Sequence, residues 1–287
     1  MAEIDVIYEA SSGNRYNLKT DPLLIGVGNF HNYVWDKEVT ALRYGERVES
    51  WKKNAQTYAT TFWMVGTESQ NRLVLQNLHN DFERDIFSKK PGKIIWNQDY
   101  IECYIIESST YPHENRQWTV NEVNIYCPSP FWISEQVISI QPIIDDGSSE
   151  GQEYLDYPFE YTFDYTWVTS TVVPIEIDHY ADSSFKLVIF GPASSPSILI
   201  GDNTYSVNVS VLEGEYLTID SRDTADRDRQ VYLTRNNGSI QNVFDLRNPN
   251  YQILKRIPPG KFDVVYPRTY GIDLHIYKER SEPGWMI

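Results

Sequence analysis

Short alternating runs of apolar and polar residues, separated by Gly, Asn and Pro, dominate the first 66 residues of the chain. A period of two places successive side chains on opposite faces, so such runs predict β-strands with one buried face. The runs are residues 15–18, 23–27, 46–51 and 57–64. The first part of the chain is therefore predicted to form a set of short strands.

After residue 66, the spacing of the apolar residues changes from every second position to a helical period. Thr67-Glu68-Ser69-Gln70 has the hydroxyl and the Gln, three residues apart, of a capping box, which satisfies two backbone amides at a helix start. Pro91-Gly92 stops the pattern. The spacing of the apolar residues predicts one long helix over 67–89. Its apolar stripe, expected to pack on a sheet, is Leu75, Leu78, Phe82 and Ile86. The polar residues placed off the stripe are His79, Asn80, Asp81, Glu83 and Asp85.

The chain after the helix predicts a hairpin and then a domain boundary. Runs 93–96 and 99–106 flank Asn97-Gln98, which fits a tight hairpin turn. Run 118–126 must end before Pro128 and Pro130, which cannot donate ladder hydrogen bonds. We expect Phe131 and Trp132 to pack back on one domain, and a new strand at 137–144 to open the next. The predicted domains are 1–133 and 134–287, joined near 133–137 and separately folded.

The second half of the chain alternates throughout. Its predicted strands are 159–165, 174–177, 185–190, 197–200, 205–209, 215–219, 230–233, 262–266 and 273–277, with residues 145–155 as a loop. Many short strands with turn signals between them are typical of a β-sandwich or jelly roll.

Composition narrows the function classes. The net charge is −15 and the sequence pI is about 4.7, which argues against a nucleic-acid-binding surface and against anionic membranes. Aromatic residues make up 14% of the chain, a share that favours sheet packing and, secondarily, protein interfaces. Cys103 and Cys127 form neither a disulfide framework nor a zinc motif, so we expect free, partly buried thiols made in a reducing cytoplasm.

Targeting signals are not visible. The N-terminus lacks the basic and apolar regions of a signal peptide, and no apolar run approaches the roughly 18 residues of a membrane span. A site of action outside a cell would then be reached by lysis or within a particle.

Motifs for catalysis or metal binding are missing too. The five histidines, His31, His79, His113, His179 and His275, are scattered singly, and no GxSxG, Walker or GxGxxG motif occurs. We therefore predict no enzyme activity, no cofactor, and no catalytic, cofactor-binding or metal site.

Two polar segments are candidate exceptions. Asp220, Asp223, Asp226 and Asp228 could suggest calcium, but the spacing is not that of an EF-hand, and interleaved arginines favour a solvated, ion-paired hairpin. His113-Glu114-Asn115-Arg116 is vaguely similar to the sugar-binding residues of galectins. Its spacing differs from theirs, so an ordinary polar loop is the preferred interpretation.

Several motifs, in order, resemble the distal tail protein family of long-tailed bacteriophages. The first domain closes with Cys127-Pro128-Ser129-Pro130-Phe131-Trp132 after strands, a helix and a hairpin. The second contains, in order, Ile189-Phe190-Gly191-Pro192 with Pro196, Gly214-Glu215-Tyr216-Leu217-Thr218-Ile219-Asp220, Asn242-Val243-Phe244-Asp245-Leu246, Ile257-Pro258-Pro259-Gly260 and Gly284-Trp285. The resemblance covers nearly the whole chain, and these motifs mark folding turns.

The resemblance implies a mainly β protein. Its N-terminal domain would be a β-sandwich or split barrel with one helix, closing into a six-membered ring, and its C-terminal domain a galectin-like β-sandwich. The implied function is a structural virion protein at the distal end of the tail, which links tail tube to baseplate and lets DNA pass. Implied partners are further copies in a homo-hexamer, the tail tube protein, the tape-measure protein and the baseplate hub, without membrane or specific nucleic-acid binding. Assembly would take place in the host cytoplasm.

Two other classes stay open at this point. A β-sandwich rich in Trp and Tyr could be a lectin-like module that recognises host cell-wall glycans. A glycoside hydrolase with a carboxylate pair is the second alternative, although no motif supports it.

Overall fold

The computed structural model describes residues 5–26, 30–112, 118–143, 171–223 and 230–285. These residues divide into two units, which are treated separately. The first comprises described residues up to Glu135 together with 278–285, and the second runs from Gln136 to Tyr277. The end of the chain thus belongs to the first unit, whereas the predicted second domain extended to residue 287. Independent folding of the two halves stays a prediction.

The first unit contains strands β1 to β10, the beginning of strand β11 and the helix α1. The strands are β1 (Val6–Glu9), β2 (Arg15–Asn17), β3 (Lys19–Thr20), β4 (Leu23–Ile25), β5 (Asp36–Ala41), β6 (Glu46–Lys52), β7 (Gln56–Val65), β8 (Gly92–Trp96), β9 (Asp99–Pro112), β10 (Trp118–Cys127) and β11 (Trp132–Ile140). Their strand pairs are antiparallel. The four early strands, the strand at 118–126 and the 97–98 hairpin are confirmed.

Two sheets share the long strand β9. One has the order β3-β4-β7-β10-β9, and in the other β8 pairs with both β1 and β9. The first part of β9 pairs with β8 and its second part with β10, with a register irregularity at Asn124 and Ile125 of β10. Inward side chains of both sheets meet in one core, which includes Tyr8, Phe62, Ile94 and Ile125.

The helix α1 spans Glu68–Ser88 and confirms the predicted element. Thr67 caps it with the expected capping box, and Lys89 at its C-terminal end adopts φ 54°. The predicted stripe is only partly right, because Leu78 and Phe82 are buried while Ile86 is 41% exposed. Each step of four residues advances about 40° around a helix, so repeated steps rotate off the buried face.

The passage from the first predicted domain to the second needs one correction. Trp132 is fully buried in the first core and stacks edge-on with Phe30 at 5.9 Å, as expected of an anchor. The prediction of a new strand opening at 137 was wrong, because β11 already begins at Trp132, where Ile133 pairs with Tyr100 of β9.

The second unit is a β-sandwich, which confirms the predicted galectin-like class. Its strands are β12 (Val172–Ile177), β13 (Ser184–Phe190), β14 (Ala193–Ser194), β15 (Ser197–Ile200), β16 (Asn203–Ser206), β17 (Ser210–Val211), β18 (Tyr216–Asp220), β19 (Gln230–Thr234), β20 (Ile240–Asn242), β21 (Gly260–Val265) and β22 (Ile272–Arg280), with a 3-10 turn at Phe244–Leu246. The last residues of β22 belong to the first unit. The predicted strand 205–209 begins and ends earlier, and the predicted strand 159–165 and most of loop 145–155 lie outside the described residues.

Two sheets form this sandwich. One has the order β20-β19-β18-β13-β22-β11 and the other β12-β21-β15-β16. Apolar residues at alternate positions of both sheets face each other, among them Leu187, Ile219, Ile198 and Val264. The period-two pattern in the sequence is therefore the inward-facing set of a two-layer core.

Candidate assembly surfaces

Asp85 is a buried carboxylate that holds the β1–β2 hairpin against α1. It is 1% exposed. The Tyr8 hydroxyl donates to it at 2.7 Å, and Ser11 donates through its backbone N–H at 3.0 Å and its hydroxyl at 2.6 Å. Gly92 makes this approach feasible, since a Cβ there would lie 2.6 Å from Asp85 Oδ2.

Asp81 lies one helical turn before Asp85 and holds strand β2 of the same hairpin against α1. It accepts from the Tyr16 hydroxyl at 2.6 Å, Asn14 Nδ2 at 2.9 Å and the Ser12 hydroxyl at 3.1 Å, and Arg84 lies 3.1 Å away. Burial alone would raise the pKa of Asp81, but these hydrogen bonds and the Arg84 charge hold the pKa below its usual value.

This two-carboxylate clamp is a structural device. Burial and the adjacent carboxylates raise the pKa of Tyr8 and of Tyr16, so both phenols remain donors at neutral pH. Asp81 and Asp85 were predicted to lie off the apolar stripe of the helix, but both are buried. Their spacing of four residues, in phase with Leu78 and Phe82, is the signal that could have indicated a buried pair.

One face of the β7–β10–β9 sheet is open and acidic. Glu122 of β10 lies between Thr61 of β7 and Ser109 of β9, and Asn124 pairs with Glu107. Glu107 and Glu122 are exposed. None of the three strands contains a Lys or Arg. This face therefore carries negative charge without a basic side chain from its own strands.

The β5–β6 hairpin is a separate two-stranded sheet with an amphipathic character. It pairs with no other described strand. A bulge at Glu49 shifts the register, so that Val39 faces Val48 while Lys37 faces Trp51. Because of this shift, Val39, Val48 and Trp51 share one face. The opposite face is polar, with Thr40 opposite Arg47 and the Ser50 hydroxyl donating to Glu38.

The apolar residues of this hairpin are exposed. Every residue of both strands is solvent-accessible, including Trp51 at 61%. At the turn, Tyr44 is 82% exposed and Arg43 lies 5.3 Å from the centre of its ring. Sequence reasoning missed both strand β5 and this exposure, since the alternation of β6 suggested a buried face.

The described histidines are not brought together. His31 stacks on Trp285 at 3.8 Å, His79 Nε2 lies 2.8 Å from the Ser108 hydroxyl, and His179 lies beside Tyr180. His113, with the 113–116 loop, is outside the described residues. Within the described ranges, no group of three His, Cys, Asp or Glu side chains is arranged to hold a metal ion.

The acidic segment after β18 is partly described. Asp220 accepts from Arg222 Nε at 3.0 Å and from Nη2 at 2.7 Å, and the guanidinium stacks 4.2 Å over the Tyr277 ring. Both partners are nearly buried, so the pair is not the solvated one expected. Asp226 and Asp228 lie outside the described residues.

Cys103 and Cys127 are both free and buried. Burial raises the pKa of the Cys127 thiol to about 12 and that of Cys103 well above its usual value. Both sulfurs therefore stay protonated, and such thiols are chemically inert. Both thiols were predicted to be partly buried, and the structure buries them fully.

Comparison with solved structures identifies the fold. The Dit (gp 19.1) protein of phage SPP1, described as a paradigm of the hub adsorption apparatus in phages that infect Gram-positive bacteria, matches with a TM-score of 0.58 at 10% identity. The match covers 97% of this chain and 99% of that one. Chains of the phage P2 baseplate in its activated conformation match with TM-scores of 0.65 with Ca and 0.64 with Sr. These are 10% and 11% identical, and both cover 98% of this chain and 100% of the other.

No protein-family model matches the chain, and no curated protein matches its sequence. Over its described residues, the chain contains no helix long and apolar enough to cross a bilayer. The chain has the fold of phage tail hub and baseplate proteins, over both units. The resemblance stated from sequence motifs is confirmed at the level of the fold.

Proposed function

We propose that this chain is a structural, non-enzymatic subunit of a phage tail tip that forms a homo-hexameric ring between the tail tube and the baseplate. The observation that carries the proposal is the match to hub and baseplate structures over 97–98% of this chain and at least 99% of theirs. A match end to end supports the role of the whole subunit rather than of one shared module.

The proposed partners follow from that position. They are neighbouring copies in the ring, the tail tube protein, the tape-measure protein and the baseplate hub. Assembly takes place in the host cytoplasm and the mature location is the virion. Exposed aromatic residues in the first unit, such as Trp51 and Tyr44, support contacts with other proteins because aromatic side chains are enriched at interfaces.

The same proposal places the open face of the β7–β10–β9 sheet on the wall of the DNA channel. A channel wall must not bind phosphate, and the open face of the β7–β10–β9 sheet presents Glu107 and Glu122 without Lys or Arg on its strands. Like charges repel the DNA backbone and let it pass without sticking. The net charge of −15 per chain also supports a channel that repels the DNA backbone.

The ring is tested by native mass spectrometry of the protein at high concentration and by electron microscopy of assembled tails. We expect a six-membered ring at the junction of tube and baseplate. A dilute monomer alone is compatible with assembly on a partner. A strict monomer at high concentration, together with absence from the tail ring, overturns the proposal.

The channel wall is tested by Glu122→Lys. We expect this change to slow DNA release from triggered virions by roughly tenfold at low salt, because the new cation attracts phosphate, and added salt should relieve the effect. Glu83→Lys makes the same charge change on the exposed side of α1 and should leave the release rate unchanged. Equal rates for both variants contradict the assignment of this face.

The lectin-like alternative predicts binding to host cell-wall glycans. No specific contact among the described residues favours it over assembly. Binding of the purified protein to a cell-wall glycan array, abolished by free sugar, would support the lectin-like function.

A further inference from the structure

Two clefts follow one another along the helix α1, on the side where it faces the β1–β2 hairpin. The first has a volume of about 420 Å³ and is lined on the helix by Asn77, Asn80 and Arg84. The second has a volume of about 530 Å³ and is lined by Lys89 and Lys90, which follow the last turn of α1. Residues of the hairpin line both clefts from the other side, so the two clefts form one groove, called the α1 groove below.

The α1 groove is basic although the chain is acidic. Its described lining carries five cationic side chains against three carboxylates, on a chain whose net charge is −15. Residues 86–98 contain no Asp or Glu. Neither Lys89 nor Lys90 forms an ion pair with a residue that the structure describes. The five cationic residues are Arg15, Arg84, Lys89, Lys90 and Lys93.

The three carboxylates of the groove are already bound by this chain. Glu9 lies 3.1 Å from Arg15 Nε, and Asp81 accepts its hydrogen bonds from the hairpin. Glu102 is 5% exposed and is the cross-strand neighbour of Lys93. The exposed ammonium groups at the end of α1 are therefore available to carboxylates from outside the chain, which form charge-assisted hydrogen bonds with them.

Exposed apolar side chains lie at both ends of the helical wall of the groove. Leu73 is 60% exposed and Phe87 is 83% exposed. Steps of four and three residues lead from Leu73 through Asn77, Asn80 and Arg84 to Phe87, so all five side chains share one face of α1. At the rise of an α-helix, the two apolar ends are about 21 Å apart.

We propose that the α1 groove binds an acidic segment of another tail protein. The carboxylates of that segment face Lys89, Lys90 and Arg84, and an apolar side chain of the segment packs on Phe87. That the partner is a tail protein rests on the proposed function, whereas the acidic character of the segment rests on the charge of the groove.

The polar lining favours a polypeptide over a nucleic acid as the occupant. The amide groups of Asn77 and Asn80 both donate and accept hydrogen bonds, as a peptide backbone does, whereas a phosphate only accepts. A large apolar side chain such as Phe87 is typical of the anchors of protein interfaces. A long polyanion would also meet the repulsion of the whole chain, while a short segment meets mainly the local basic charge.

The walls of the groove are joined before any partner binds. Asp81 and Asp85 of α1 accept hydrogen bonds from both strands of the β1–β2 hairpin and from its turn. A partner therefore does not have to order the helix and the hairpin relative to each other, which lowers the entropic cost of binding.

The first test measures binding of a labelled oligoglutamate peptide that carries one phenylalanine, by fluorescence polarisation at low salt. The double variant Lys89→Glu, Lys90→Glu should weaken binding by roughly tenfold or more, because two attractive charges become repulsive. Lys19→Glu reverses an exposed lysine of the same unit outside the groove and should leave the affinity unchanged. Thermal melts check that both variants are folded.

Two results of this experiment overturn the proposal. One is that the wild-type protein does not bind the peptide. The other is that a single-stranded DNA oligonucleotide of the same charge binds as tightly as the peptide, which would make the groove a general polyanion site.

The second test examines the apolar anchor. Phe87→Ala should weaken binding of the phenylalanine-containing peptide by roughly fivefold, because the contact between the two rings is lost. The same variant should bind a peptide with alanine in place of phenylalanine as well as the wild type does. Equal losses for the two peptides contradict the role of Phe87.

The third test identifies the occupant in assembled tails. A photoreactive benzophenone residue replaces Phe87, and in a control it replaces Glu83, which lies on the other edge of the exposed face of α1. We expect the residue at position 87, and not the one at 83, to cross-link to an acidic segment of another tail protein. Cross-links only between copies of this chain, or only to a segment without acidic residues, overturn the proposal.

Failure of this inference is distinguishable from failure of the proposed function. If the wild-type protein forms a ring in assembled tails but does not bind the peptide, the groove assignment is wrong while the ring stands. If no ring of this protein is found in assembled tails, the proposed function itself fails.

Discussion

Asp85→Ala is expected to lower the free energy of unfolding of the first unit by about 3–5 kcal/mol, because three hydrogen bonds to a buried charged acceptor are lost. The Tyr8 hydroxyl would then be left buried without its partner. Urea unfolding followed by tryptophan fluorescence measures the change, since Trp63, Trp96 and Trp132 lie in this unit.

Two controls separate the hydrogen bonds from other effects of the substitution. Asp85→Asn keeps an acceptor oxygen but loses the charge, so it should cost less than Asp85→Ala, about 2 kcal/mol. Glu83→Ala removes an exposed carboxylate from the same helix and should change stability by less than about 0.5 kcal/mol. An effect of Asp85→Ala as small as that of Glu83→Ala would show that the clamp contributes nothing to folding.

Phe82→Ala should cost about 3–5 kcal/mol, the range for removing a fully buried phenylalanine. Its ring is 4% exposed and packs edge-on against Tyr8 at 5.3 Å, so the substitution leaves a cavity between α1 and β1. The same fluorescence-detected unfolding experiment gives the difference from wild type.

Phe87→Ala is the matched control, with the same chemical change on the same helix. Phe87 is 83% exposed, so its loss should change the unfolding free energy by less than about 0.5 kcal/mol. Comparable losses for the two variants would mean that Phe87 is covered by a partner or that Phe82 is not part of the core.

Asp85 and Phe82 both contact Tyr8. Asp85 and Phe82 both connect α1 to β1, one through the Tyr8 hydroxyl and the other through the Tyr8 ring. Their effects should therefore not be additive, because residues that share a partner are coupled.

Local signals in the sequence were sufficient for most elements. The capping box at Thr67, the left-handed Asn97 in the β8–β9 turn and the prolines after Cys127 each act within a few residues. Such short-range chemistry is independent of the rest of the fold, so these element ends were predicted nearly correctly, whereas the start of β11 and the whole of β5 were not. Their order also carried the resemblance to the tail proteins.

The candidate surfaces were much less predictable. The total charge was visible, but its position on the β7–β10–β9 face depends on which strands become neighbours. The exposure of Trp51 depends on β5 and β6 standing apart from the other described strands. Neither fact is local, and an alternating strand has the same pattern whether its apolar face meets a core or a partner.

The sequence by itself determined most of the strands, the helix and the acidic character of the protein. Only the tertiary structure decided that Asp81 and Asp85 are buried, that Ile86 is exposed and that the β5–β6 hairpin has no core of its own. The reason is physical: a polar side chain can be buried only where donors from distant segments converge on it. Tyr8 and Ser11 reach Asp85 across more than 70 residues of chain.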